Sequence, residues 1–270
     1  MSIHHSVLMR SSQIGHSPSW SPLSTTRSAR KVMLQNTKME YQDTGGGGAP
    51  VVFLHAATGH SGMWEHQLPA FTAAGYRCIA FDRRAEGFAA DQLDTLATKL
   101  ALARFHLVGT AAGAIIGVDY ALSNAARLRS LVVANSIVGV QDADYLEMSR
   151  RLRPSPQFEA LPADFRELGP SYRAANAEGT RRWNALAQAK PRAAYAMRNR
   201  ISFAALETIA VPTLLLTGDA DLYMPPSVLR LFAARIRGCE SLVVPECGHS
   251  AYWEQPEIFN RVVLEFLRKY

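Results

Sequence analysis

Short, largely apolar segments alternate with stretches of helical periodicity along most of this chain, and that alternation narrows the fold more than any other feature. Val51 to His55, Arg77 to Asp82, Phe105 to Val108, Leu131 to Ala134, Thr213 to Thr217 and Ser241 to Val244 read as strands, the apolar runs among them fitting strands covered on both faces. Met63 to Ala74, Ala90 to Leu102, Ala111 to Leu122 and Ser227 to Ile236 read as helices, and a closing helix opens at Pro256. In the second of these, Leu93, Leu96 and Leu100 are spaced to share one face. Two shorter strands, Val32 to Asn36 and Lys38 to Tyr41, precede the glycine run Gly45 to Gly48. This order predicts an α/β fold, a mostly parallel sheet with helices on both faces.

The 270 residues, 48% hydrophobic and 19% charged, can fill a sizeable core, which excludes global disorder. No apolar run approaches the ~20 residues of a membrane span. The net charge of +6 is unevenly placed: residues 1–39 carry five basic and no acidic side chains, leaving 24 against 23 in the rest. The basic excess therefore belongs largely to a tail and gives no nucleic-acid footprint on the folded part. Residues 1–30, with nine serines and two prolines, lack an apolar period and are expected to form a disordered extension. That stretch faintly resembles an organellar transit peptide, but a misassigned start codon or a plain floppy extension suits it better. Three cysteines, Cys78, Cys239 and Cys247, do not suggest a disulfide framework and favour a reducing, cytoplasmic setting.

The segment 141–200 interrupts the alternation. It reads as helical, is punctuated by Pro154, Pro156, Pro162, Pro170 and Pro191, and holds 11 basic against 7 acidic residues. It is expected to be a helical lid inserted into a core formed by 31–140 and 201–270. Its basic surplus would either attract an anionic substrate or solvate helix faces. Its aromatic and sulfur side chains, Tyr145, Met148, Phe158, Tyr172, Trp183, Tyr195 and Met197, suit packing of lid against body better than pocket lining.

The sharpest local signal is Gly109-Thr-Ala-Ala-Gly113 where a strand gives way to a helix. Two flanking glycines allow a tight turn and a close backbone approach, and they lift residue 111 above the sheet edge, where a nucleophile normally stands. Downstream, Gly218-Asp-Ala-Asp221 follows one strand and leads to Pro225-Pro226, and Gly248-His249 follows the last strand. An acid and a base thus fall at carboxyl ends of strands, where open α/β sheets bind ligands. Glycines 109, 113 and 117 do not form a dinucleotide-binding GxGxxG pattern.

In these motifs the chain resembles the α/β-hydrolase superfamily over roughly residues 32–270, in the order nucleophile position, acid, histidine. His55-Ala-Ala57 is similar to the family's HGX loop, and Asp82-Arg-Arg-Ala-Glu-Gly87 to its DxRGxG turn. The resemblance implies that His249 is the general base, Asp221 its orienting carboxylate, and the N–H groups of Ala57 and Ala112 the oxyanion hole. Asp219 is a rival for the acid; Asp221 fits better, standing four residues before Pro225. Trp64 and Trp253 are expected near the site mouth as substrate contacts. His55 and His106 read as structural, and the remaining histidines show no metal-ligand pattern, so neither metal nor cofactor is expected.

Position 111 is alanine where the family's GxSxG motif needs serine, and a methyl group cannot attack a carbonyl. Ala56 and Ala85-Glu86 also depart from the family pattern. Three readings stay open. The first is a hydrolase of an ester, lactone, amide or activated C–C bond whose nucleophile is replaced by Ala111. The second is a non-hydrolytic His–Asp acid/base enzyme: a lyase, decarboxylase or cofactor-independent oxygenase. The third is a binding pseudoenzyme. In each case the expected partner is a small molecule, with no nucleic acid or membrane, and the chain a monomer or homodimer.

Overall fold

The computed structural model describes residues 30–34, 37–190 and 195–270. The expected disordered extension, residues 1–30, lies outside the described residues except for Arg30. The strands are β1 (Arg30–Leu34), β2 (Thr37–Asp43), β3 (Pro50–Leu54), β4 (Arg77–Phe81), β5 (Phe105–Thr110), β6 (Leu128–Ala134), β7 (Thr213–Gly218) and β8 (Glu240–Val244). They form one sheet in the order β1-β2-β4-β3-β5-β6-β7-β8. β1 and β2 pair antiparallel, as do β2 and β4, and every other pairing is parallel. The expected α/β class, a mostly parallel sheet with helices on both faces, is the observed one.

Three helices connect the first six strands: α1 (Gln67–Ala73), α2 (Ala89–Lys99) and α3 (Ala112–Asn124). Between β6 and β7 come α4 (Ala143–Leu152), α5 (Gln157–Ala160), α6 (Ala163–Glu167), α7 (Pro170–Ala175), α8 (Ala177–Gln188) and α9 (Phe203–Glu207). The chain then closes with α10 (Pro226–Ala233), α11 (Ala251–Glu254) and α12 (Pro256–Leu267).

The two-residue side-chain period of the strands sorts the core into two layers. Val52, Leu54, Leu107, Leu131, Val133 and Leu215 face the layer that α2, α3 and α10 cover. Val51, Phe53, Val108, Val132, Leu214 and Leu216 face the opposite layer with Phe71 of α1 and Phe259 and Val263 of α12. The segment between β6 and β7 contributes to both, Tyr145 of α4 to the first layer and Trp183 of α8 to the second. Among the described residues, no helix is long and apolar enough to cross a membrane.

One expected helix is divided. Met63 to Ala74 becomes a short 3₁₀ turn, Ser61–Trp64, followed by α1. The reason is local: the His60 side chain caps the turn by accepting the Gly62 N–H, while Met63 and Trp64 are drawn into the core.

Candidate active site

The turn from β5 to α3 is as sharp as the sequence requires. Ala111 stands at φ 49° and ψ −116°, a positive-φ position that a non-glycine residue occupies only under constraint. Its N–H donates to the Ala134 carbonyl at 3.0 Å, and its own carbonyl accepts from Ala114, Ile115 and the Ser136 hydroxyl. The flanking glycines are there for space. A Cβ on Gly113 would lie 2.1 Å from the Leu54 carbonyl oxygen, and one on Gly109 would lie 2.6 Å from the backbone of Gly113. Without side chains, Gly113 lets the elbow lie against the end of β3 and Gly109 lets the start of α3 lie against β5.

At the ends of β7 and β8 the structure brings Asp221 and His249 together. His249 Nδ1 lies 2.8 Å from both carboxylate oxygens of Asp221. The carboxylate also accepts the N–H groups of Tyr223 and Met224, the Thr217 hydroxyl and the Asn135 side-chain amide. Burial works to raise the Asp221 pKa, but His249 and these donors outweigh it and hold the carboxyl down to about 2. Burial likewise works to lower His249; the charge and hydrogen bond of Asp221, with Glu167 adding to them, carry its pKa above the ordinary 6.5 instead. The rival acid is occupied elsewhere: Asp219 accepts the N–H groups of Glu246 and Cys247.

The HGX-like loop after β3 is fixed from behind. The Arg83 guanidinium donates to the carbonyls of His55 and Ala56, and its N–H donates to His55 Nε2. His55 Nδ1 then serves the Ala56 carbonyl at 2.7 Å. Burial and the Arg83 charge push the His55 pKa down to about 3, so the ring is a neutral brace. The N–H groups of Ala57 and Ala112 have no hydrogen-bond partner among the described residues, and both residues line the same space.

That space is a cavity of about 470 Å³. Ala56, Ala57 and Thr58 line one part of it, with Ala111, Ala112 and Ile115 from the elbow. Ser136, Ile137, Tyr223 and His249 line the rest, with Glu167 and Tyr195 from the segment between β6 and β7. Ala111, His249, Ala57 and Ala112 are therefore convergent, with Asp221 behind the histidine.

Other expectations need correction. Trp64 (0% exposed) and Trp253 (2%) are not among the residues lining the cavity. Trp64 packs with Phe53, Tyr252 and Phe259, and Trp253 against the His66 ring. Of the two readings of the basic surplus in 141–200, five of its described arginines fit the solvated helix faces. Arg150 and Arg151 pair with Glu147, Arg181 with Glu178, Arg182 with Glu65, and Arg198 with Asp91. These are largely exposed pairs of the kind that contribute little.

Sequence reasoning missed three groups. Tyr223 lays its ring over His249, centroids 4.4 Å apart, and is itself held by Arg153 and Arg166. Asn135, at φ 46°, ties Asp221 to Gly248 and Ala251. Its position one residue beyond an apolar strand was a usable signal, because asparagine tolerates left-handed backbone. Glu167, whose carbonyl accepts the His249 N–H at 2.9 Å, gave none.

Position 111 is alanine, and Thr110, Ser136 and the three cysteines supply no nucleophile beside it. Thr110 has a buried hydroxyl without a hydrogen-bond partner and does not line the cavity. The Ser136 hydroxyl is committed to the Ala111 carbonyl and the Val138 N–H. Burial pushes the thiols of Cys78 and Cys239 up to about 12 and about 11, and that of Cys247 higher still, so none is a thiolate near neutrality. Among the described residues, no cluster of three or more histidine, cysteine or acidic side chains is arranged to hold a metal.

Comparison with known proteins places this geometry. Residues 51–262 match the model of the alpha/beta hydrolase family. A protein of Mycobacterium tuberculosis named as a non-heme bromoperoxidase, BpoC, is 30% identical over 261 residues, which cover 83% of this chain and 95% of that one. A 2-hydroxy-6-oxononadienedioate/2-hydroxy-6-oxononatrienedioate hydrolase of Paraburkholderia xenovorans is 28% identical, covering 85% and 90%. Among solved structures, a thermophilic esterase from Thermogutta terrifontis superposes with a TM-score of 0.73 at 26% identity, over 89% of this chain and 99% of the esterase. With a family match spanning most of its length and relatives aligned nearly end to end, this chain belongs to the alpha/beta hydrolase family.

Proposed function

We propose that this chain carries a hydrolase site for a small carbonyl compound (an ester, lactone, amide or activated C–C bond) in which Ala111 occupies the nucleophile position. One observation supports this reading above the others: the elbow, the open N–H groups of Ala57 and Ala112, and His249 backed by Asp221 all face one cavity. In this reading the two N–H groups receive the oxygen that becomes negative as the carbonyl turns tetrahedral. His249 takes a proton from the attacking group through the ring nitrogen that Asp221 leaves free, and returns it to the leaving group. Asp221 fixes the tautomer and compensates the imidazolium charge. The helices between β6 and β7 act as the lid, and Tyr223 keeps the His249 ring from rotating.

With a methyl group at position 111 the covalent route has no starting atom. Ala111→Ser supplies the hydroxyl with the same Cβ, and so without new backbone strain. The Ala111→Ser chain is expected to be labelled by a fluorophosphonate probe and to turn over a short-chain aryl ester, while the chain as it stands does neither. A serine variant inert to both reagents refutes the reading.

A second reading is supported by the Asp221–His249 pair itself, which retains a full set of hydrogen bonds despite the missing nucleophile. Such a pair is able to activate water or abstract a proton directly, with the N–H groups stabilising an alkoxide or enolate. Turnover by the unaltered chain, abolished by His249→Ala and not increased by Ala111→Ser, would replace the first reading with this one.

A further inference from the structure

Resting on the reading that His249 is the base of this site, we propose that Arg153 and Arg166 of the inserted helices are its positioning residues. They act through Tyr223, so that the His249 ring is aimed for reaction while those helices are seated. Tyr223 stands two residues beyond Asp221 and touches both parts of the molecule. Toward the acid–base pair, its N–H donates to Asp221 Oδ1 at 2.8 Å, and its ring lies on the His249 ring with centroids 4.4 Å apart. Toward the inserted helices, the guanidinium of Arg153, just past the end of α4, donates to the Tyr223 carbonyl at 2.7 Å and stands 5.5 Å from the ring centroid. Phe158 of α5 meets the same ring edge to face, centroids 5.1 Å apart. Arg166 of α6 donates to the Tyr223 hydroxyl at 3.2 Å.

These bonds set the two arginines apart from others of the segment. Arg150, Arg151, Arg181, Arg182 and Arg198 pair with carboxylates, whereas Arg153 and Arg166 both bond Tyr223. Neither is among the residues lining the cavity, so their route to the chemistry runs through the tyrosine. Asp221 fixes one edge of the imidazole through Nδ1. A ring held at one edge still tilts about that contact, and a stacked aromatic face opposes the tilt. That face opposes it only as firmly as it is itself held, and its holders belong to α4, α5 and α6. The His249 backbone is tied to the same helices, since its N–H donates to the Glu167 carbonyl at the end of α6 at 2.9 Å. Displacing a reacting group by about 1 Å costs up to about 10²-fold in rate, which is the reach open to two arginines that touch no reacting atom.

The test removes both guanidinium groups and keeps their stems, in Arg153→Met/Arg166→Met. Arg151→Met is the control, an exposed neighbour on α4 that pairs with Glu147. The first readout is the His249 ring in the chain as it stands, its NMR signals identified by their loss in His249→Gln. Stacking on Tyr223 shifts these ring protons upfield; the double variant is expected to move them downfield and Arg151→Met to leave them in place. The second readout is turnover of a short-chain aryl ester in the Ala111→Ser background. There kcat is taken on its alkaline plateau, so that the charge of Arg153, which works to lower the His249 pKa, does not enter. The double substitution is expected to lower kcat about tenfold or more while KM changes by less than about threefold. Should it unfold the chain, Arg166→Met alone is expected to give smaller changes of the same sign. Unmoved ring signals, an equal shift in Arg151→Met, or a raised KM with kcat unchanged overturns the proposal. The hydrolase assignment fails separately: if Ala111→Ser is inert, the ring signals still decide the positioning role. An active Ala111→Ser chain with unmoved ring signals keeps the assignment and removes that role.

Discussion

At Ala111 the backbone holds a conformation worth of order 1–3 kcal/mol in strain, although no reactive atom there benefits from it. The strain persists because Ala134, Ser136 and the packing of Gly113 on β3 over-determine the turn. The same economy governs His249, whose pKa is a contest between burial, which lowers it, and Asp221, which raises it. Removing the charge decides the contest. In Asp221→Asn the imidazole pKa, followed by NMR, is expected to fall from above 6.5 to below it, since burial is then opposed by Glu167 alone among the acids. A value that stays above 6.5 would show that Asp221 is not the dominant partner. Introduced alongside Ala111→Ser, the same substitution should cost on the order of 10³–10⁴ in kcat by releasing the tautomer. Ala111, Asp221 and His249 could be found in the sequence because each follows a strand and is flagged by glycine or proline. Glu167 and Tyr223 could not, because their roles arise from contacts across 82 and 26 residues of chain, which no local spacing reports. Trp64 and Trp253 failed for the converse reason: proximity to a motif in sequence does not say which way a large ring turns, and here both turn into the core.

The parallel strands were readable because burial on both faces leaves an apolar run bounded by turn residues, and every one of β3 to β8 lies within a few residues of its expected position. The segment between β6 and β7 was readable only as helical. Its prolines divide it into short helices, Pro170 opening α7 for instance, and what seats them is not periodic. Much of that seating rests on Glu254. Its carboxylate accepts the N–H groups of Gly169, Gly248 and Ser250, so one side chain ties the end of α6 to the histidine loop. Burial keeps this carboxyl above its ordinary pKa in spite of three donors. Glu254→Ala leaves those buried donors without an acceptor and should destabilise the protein by about 2–4 kcal/mol. Hydrogen exchange should quicken first at Gly169, Gly248 and Ser250, ahead of the strands. Exchange that quickens uniformly across the sheet would mean that Glu254 supports the whole fold and not this joint.

Taken as one molecule, the two core layers and the helices that feed both of them make stability depend on groups far from the cavity. Three histidines, the buried His55 and His106 and the more exposed His66, have lowered pKa values, His55 at about 3 and His106 at about 4. The unfolded chain, with ordinary histidines near 6.5, binds these protons where the folded chain does not, so their contribution to stability is lost as pH falls below about 6.5. Asp221 adds a further loss lower down, as pH drops from its ordinary 3.8 towards about 2. His249 has the opposite sign. Its raised pKa stabilises the fold below 6.5, and that contribution disappears as pH rises through the folded value. Three lowered histidines against one raised predict a net loss of stability on acidification from pH 6.5 to 4. His106 is the one to test, because it sits in β5 away from the cavity, bonded to the Ser130 hydroxyl at 2.8 Å. Burial, followed by the charges of Arg129 and Arg104, is what excludes its proton. His106→Gln retains a partner for Ser130 and removes the titration. The dependence of unfolding free energy on pH, from urea curves between pH 4 and 6.5, should flatten by up to about 1.4 kcal/mol per pH unit, the limit for one proton. An unchanged slope would move the acid sensitivity to His55, and with it to the loop after β3 that borders the cavity.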